Sequence, residues 1–180
     1  FLVSLGGFSQ GGGGGCSPSS TNPSCATATP LVVGGACING TSCNGGAQAA
    51  SSCLYSGSTC SWYSFVASAA DMFVDIGSTV TDGCYTSSNV YSSSGGGAGG
   101  GCPGTQISCQ SGAPLDDLHA LSGLTIGHIY YVQVCYSDGG PCGNNGQADW
   151  CISVGEPSAP CATCSVPCGT ASGYPTNPTV

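Results

Sequence analysis

Asp116-Asp117-Leu118-His119 is the tightest group of titratable side chains in the sequence. Two adjacent carboxylates offer hard oxygen ligands, the donor type that Ca²⁺ takes, so Asp116 and Asp117 are candidate calcium ligands. The plainer reading of the same residues is a solvated acidic loop, since Asp is rarely buried without a partner. Catalysis finds little support. There is no Gly-x-Ser-x-Gly elbow, no His-Glu-x-x-His helix and no recognisable Cys/His order, and only His119 and His128 are available as imidazoles. Carboxylate pairs drive glycoside hydrolysis, but nothing in the sequence marks two acids that face one cleft. The chain is read as a non-enzyme with no required cofactor, calcium being the one metal its side chains suit.

The absence of cations excludes more. The 180 residues contain eight acids and no Lys or Arg, for a formal charge of −8. Charged residues make up 4%, against about 25% in an ordinary domain. Nucleic-acid binding depends on neutralising phosphates, so nucleic acid is excluded as a partner. Attraction to anionic membrane surfaces is excluded on the same ground, and no apolar run approaches the ~20 residues of a membrane span. Lysine-based covalent chemistry is impossible, as are Lys and Arg salt bridges. Stability must come from apolar burial, backbone pairing and cross-links.

Fifteen cysteines supply the cross-links. That density, spread along the whole chain, predicts disulfides formed in an oxidising compartment, hence an extracellular or cell-surface location. Cys161, Cys164 and Cys168 have a metal-like local spacing, but they lie in a Pro-rich tail and are read as disulfide candidates. An odd count leaves at least one Cys unpaired or bonded to another chain, a hint of polymerisation. Asn39-Gly40-Thr41 is an N-glycosylation sequon, and Asn39 is the glycosylation candidate.

The elements that must position these residues read as strands. Short apolar runs alternate with turn dipeptides, among them Asn39-Gly40, Asn44-Gly45, Asp82-Gly83, Asp138-Gly139 and Asn145-Gly146. Strands are predicted near 28–33, 46–52, 61–67, 72–78, 88–93, 105–110, 118–123, 129–136 and 149–154, with no helix. Three parts follow: a strand and Gly-rich linker over 1–24, a sandwich domain over 25–156, and a Cys/Pro-rich tail or next module over 157–180. Phe1, Val3 and Leu5 alternate as one face of a strand, tethered by the five glycines at 11–15. Such a strand could pair with its own domain or with a neighbour's open edge. The chain starts at Phe1 and is read as a processed or excised piece.

Leu124-Thr-Ile-Gly127-His-Ile-Tyr130 resembles a tyrosine corner, in which a phenol bonds upstream backbone and pins a crossover between sheets; Leu124, Gly127 and Tyr130 are its candidate residues. If the strand after it lies beside the last one, Cys135 and Cys151 could form a disulfide, with Cys135–Cys142 the alternative. The run Cys25-Ala-Thr-Ala-Thr-Pro-Leu-Val, Trp62-Tyr-Ser-Phe, Gly123 to Val134 and Trp150-Cys-Ile-Ser-Val resembles the pre-peptidase C-terminal domain family, over about residues 25–155. The resemblance is to Cys-rich variants in large secreted and surface-anchored bacterial proteins. It implies an all-β, jelly-roll-like sandwich used as an accessory module. Such modules often place an Asp-Thr pair before a Val-Tyr strand; Ser87-Ser88-Asn89 stand here instead, so the family's calcium contacts lack their residues.

Two functions follow as expectations. One is a structural subunit of an extracellular filament or surface adhesin, bonding to copies of itself head to tail, by strand donation. The other is an accessory module that binds glycans or protein, with Tyr55, Trp62, Tyr63, Tyr85, Tyr91 and Tyr136 as candidate glycan-stacking faces.

Overall fold

The computed structural model describes residues 20–49, 59–78, 86–94, 101–113, 116–136 and 148–157. They form ten strands and one 3₁₀ turn, Cys25–Thr27. The strands are β1 Thr29–Pro30, β2 Ile38–Thr41, β3 Gly46–Ala47, β4 Thr59–Val66, β5 Met72–Ser78, β6 Thr86–Ser92, β7 Gln106–Ala113, β8 Asp116–Leu121, β9 Ile129–Tyr136 and β10 Asp149–Gly155. The first sheet runs β1-β4-β9-β6-β7, with β3 also on β4; the second runs β2-β10-β5-β8. Only β1 on β4 is parallel. From β4 to β5 to β6, and from β7 through β8 and β9 to β10, the chain passes repeatedly between sheets. This all-β sandwich is the architecture the sequence predicts.

Period-two alternation explains which residues meet between the layers. From the first sheet, Tyr63, Phe65, Val90, Val132 and Val134 point inward; from the second come Val74, Ile76, Trp150, Ile152 and Val154, all in one apolar cluster. Each such side chain contributes about 1.5–3 kcal/mol on burial. β4 and β9 are covered on their outer faces as well. Trp62 packs there with Tyr91 and Cys25, ring centroids of Trp62 and Tyr91 lying 5.6 Å apart. A strand buried on both faces loses its clean apolar/polar rhythm, which is why Trp62-Tyr63 reads ambiguously in sequence.

The crossover into β9 is pinned by Tyr130. Its hydroxyl accepts the Thr125 N–H at 2.9 Å, and its ring stacks on Phe65 at 5.6 Å. Gly127, at φ +82°, occupies left-handed backbone that favours glycine, and its N–H bonds the Ala67 carbonyl at 2.7 Å. Leu124 is buried beside this turn.

Three sequence expectations are corrected. Asn39-Gly40, read as a turn, lies inside β2, which pairs with β10 from Thr41↔Asp149 to Ile38↔Ile152. Glycine serves close approach there: a Cβ at position 40 would fall 1.9 Å from Tyr63 Oη and 2.3 Å from Trp150 Nε1. Asp116-Asp117, read as a solvated loop, opens β8, and Asp117 is only 1% exposed. The Cys135–Cys151 pairing fails because β9 and β10 lie in different sheets. Cys135 instead sits directly across from Cys60 on β4 and bonds it, which removes Cys135–Cys142 too. Cys151 bonds Cys37, just before β2.

All eight described cysteines are oxidised: Cys25–Cys102, Cys37–Cys151 and Cys60–Cys135 pair within the described residues, and Cys43 and Cys109 are also disulfide-bonded. Cys37–Cys151 joins residues 114 apart in sequence, so it constrains a large loop of the unfolded chain. Replacing both with Ala is expected to cost about 2–5 kcal/mol, read as a lower denaturant midpoint. Tyr130→Phe, which deprives the Thr125 N–H of its acceptor, is expected to cost about 1 kcal/mol in the same assay.

Candidate functional site

Two places gather polar side chains. The first lies between the sheets where β6 and β7 face β8. His119, on β8 and with no exposed surface, meets Ser88 Oγ through Nε2 at 2.8 Å and Ser108 Oγ through Nδ1 at 2.7 Å. Ser88 donates its single proton to Asp117 Oδ2 at 2.8 Å. With its one proton on Asp117, Ser88 Oγ accepts from His119 Nε2–H. Burial pushes the His119 pKa down from 6.5 to about 4, so the imidazole is neutral and its Nδ1 accepts from Ser108 O–H.

The residue types are those of a serine-nucleophile triad, but the wiring is not. In a working triad the carboxylate orients the imidazole and the serine faces substrate. Here the carboxylate bonds the serine, and Ser88 and His119 are sealed from solvent. The cluster links the first sheet to the second through four side chains, of which Ser88, Asp117 and His119 are buried and Ser108 is half-buried. Sequence reasoning found Asp117 and His119 through their spacing and missed Ser88 and Ser108. Nothing local in the sequence marks them, because they reach the contact from β6 and β7.

The second place is a cleft of about 490 Å³ at the opposite lateral side, between β2 and β10 on one wall and the Ser20–Asn22 segment on the other. Its floor is the Trp150 Nε1–H bond to Tyr63 Oη, 3.0 Å. Burial raises the pKa of Tyr63, so the phenol stays neutral. Ser61 ties the walls together: its Oγ donates to the Thr41 carbonyl at 2.7 Å and lies 2.7 Å from Ser20 Oγ. Asn22 Nδ2 donates to the Trp62 carbonyl. Asp149 is the only charged residue of the lining. With no cation anywhere in the chain, the cleft suits neutral hydroxylated or cationic groups and repels anions.

Other candidates fall as follows. No group of three or more His, Cys, Asp or Glu able to hold a metal occurs among the described residues, so Asp116 and Asp117 gain no third ligand there. Trp62, Tyr63, Tyr91 and Tyr136 are buried and present no stacking face. Asn39 is exposed on β2. Phe1, Val3, Leu5, Tyr55, Tyr85, Cys161, Cys164 and Cys168 lie outside the described residues.

No family model and no curated protein matches this chain. Among solved structures, one neighbour is the pre-peptidase C-terminal domain of collagenase from Bacillus anthracis, at 16% identity and TM-score 0.38, covering 76% of this chain and 96% of that one. The chain is similar to a pre-peptidase C-terminal domain. It is also similar to Aeromonas hydrophila PliG, a periplasmic inhibitor of g-type lysozyme, at 16% identity and TM-score 0.38, covering 71% and 95%. Likeness this loose assigns no role to any residue here; the sandwich stands on its own strand order.

His119 makes stability pH-dependent. Its folded pKa lies below its unfolded one, so the unfolded chain takes up the proton first as pH falls. Stability from this group is complete above pH 6.5 and declines toward pH 4. The loss is about 3 kcal/mol at most. Urea unfolding at pH 7 and pH 4 measures it, and His119→Gln should flatten that share of the difference.

Proposed function

We propose that this chain is a non-catalytic structural module of an extracellular filament or surface adhesin, in which copies join head to tail. The observation that carries the reading is that Ser88 and His119, the best-arranged chemical groups, are locked inside the core, while every described cysteine is oxidised. Such a molecule is built to persist outside the cell rather than to turn over substrate. The β7 edge of the first sheet supports assembly. Its eight residues carry no Lys, Pro or acid, the usual protections of an open edge, and no described strand pairs with its outer side. A donated strand from a neighbour, with Phe1, Val3 and Leu5 on one face, would complete that edge.

Electron microscopy and sedimentation of the purified protein test the reading. Filaments are expected, and both removal of residues 1–10 and Ile107→Lys on β7 should abolish them while leaving a folded monomer. Filaments unchanged in both variants would rule out this mode of joining.

The cleft between β2 and Ser20–Asn22 favours a second reading, an accessory module that binds a neutral glycan. Calorimetric titration with neutral oligosaccharides distinguishes it: saturable binding by a monomer, lost when the exposed lining residue Thr21 is enlarged (Thr21→Trp), would favour it over the filament.

A further inference from the structure

Three Asn-x-Ser/Thr tripeptides occur in the sequence, at Asn22, Asn39 and Asn177. Pro23 and Pro178 fill the middle of two of them, and proline there prevents N-glycosylation. Asn39-Gly40-Thr41 alone remains. It occupies β2, the edge of the second sheet, and Asn39 is exposed.

The edges of this sandwich are protected unequally. β1 carries Pro30, and β8 opens with Asp116 and Asp117. β2 reads Ile-Asn-Gly-Thr, with no charge and no proline. No described strand pairs with its outer side. Most proteins would place a lysine on such an edge, and this chain has none. Its overall charge density is also far too low to hydrate the surface in the ordinary way.

We propose that Asn39 carries an N-linked glycan and that this glycan shields the open edge of β2. In the transfer, the Asn39 side-chain nitrogen bonds the anomeric carbon of a lipid-linked glycosyl diphosphate. The bond from that carbon to the diphosphate oxygen breaks, the diphosphate leaves as an anion, and the amide proton passes to a base of the transferase. Thr41 dates the event. In the folded domain it is 6% exposed and its Oγ1 accepts the Cys43 N–H at 3.2 Å. A transferase that reads this hydroxyl must act before β2 docks on β10 and Cys37 bonds Cys151. The inference does not rest on the filament reading, because β2 and β7 lie at opposite lateral sides of the sandwich.

Mass spectrometry of the native protein tests it, using a chymotryptic or peptic peptide that spans Asn39, since trypsin has no site. The peptide is expected above its polypeptide mass, and to fall to that mass, deamidated at position 39, after peptide-N-glycosidase treatment. An Asn39 peptide found only at polypeptide mass overturns the proposal. In the native host, Asn39→Gln should lose the added mass and Thr41→Ser should keep it; an unchanged mass in Asn39→Gln overturns the assignment. The shielding role has its own readout. Placed in the variant lacking residues 1–10, Asn39→Gln that retains that variant's near-ultraviolet circular dichroism should self-associate at concentrations where the variant with Asn39 intact does not. Sedimentation identical with and without Asn39→Gln in that background removes that role even if the sugar is present.

Discussion

The contact between the inner faces of the two sheets bears on everything else, because this chain has so little besides it. A domain with cations spreads part of its stability over surface ion pairs, each small but numerous. With no Lys or Arg, only the two histidines and a chain terminus could offer a positive partner to eight acids. The interlayer core of Tyr63, Phe65, Val132, Trp150, Ile152 and their neighbours therefore carries the fold, and it works only if both sheets stay in register. The described disulfides hold each sheet together within itself. Cys60–Cys135 ties neighbouring strands at the centre of the first sheet, and Cys37–Cys151 ties the approach to β2 to β10 in the second. Cys25–Cys102 holds the 3₁₀ turn, beneath which Trp62 and Tyr91 pack, to the segment before β7.

Much of this was legible, for identifiable reasons. β5 and β10 alternate with one face in the core, as in Trp150, Ile152 and Val154, and period two reads directly from sequence. The Tyr130 turn was legible because its geometry is local: five residues separate the phenol from the N–H it accepts. What sequence could not supply was long-range. β2 is four residues with Gly at its centre, and it becomes a strand because Trp150 and Tyr63 lie beneath Gly40. Local chemistry favours a turn at Asn-Gly, and tertiary packing overrides it.

The disulfide pairing failed for the same reason. Cys135 and Cys151 lie on outward faces of strands close in sequence, but adjacency along the chain is not adjacency in a sheet. The path sends β9 and β10 to opposite layers, so Cys135 finds its partner on β4 and Cys151 finds its partner just before β2. The sealed cluster was half legible. Asp117 and His119 share one face of β8 by period two, whereas Ser88 and Ser108 come from strands that nothing local connects to them.

That cluster also bears on why a core so dependent on apolar contact keeps four polar side chains. Replacing them with well-packed apolar residues need not weaken the domain, since burying polar groups is costly and hydrogen bonds return only part of the cost. Their value is geometric. Apolar faces slide with small penalties, but the bonds among Ser88, Asp117 Oδ2, His119 and Ser108 need β6, β7 and β8 in this alignment. A two-residue slip of β8 would exchange His119 for Asp117 or Leu121 opposite Ser88 and leave buried donors without acceptors. The network thus discriminates against the wrong register between two layers that none of the three described disulfides joins, since Cys25–Cys102 and Cys60–Cys135 lie with the first sheet and Cys37–Cys151 with the second. Where the described disulfides tie strands only within a layer, these side chains supply a directional tie between layers.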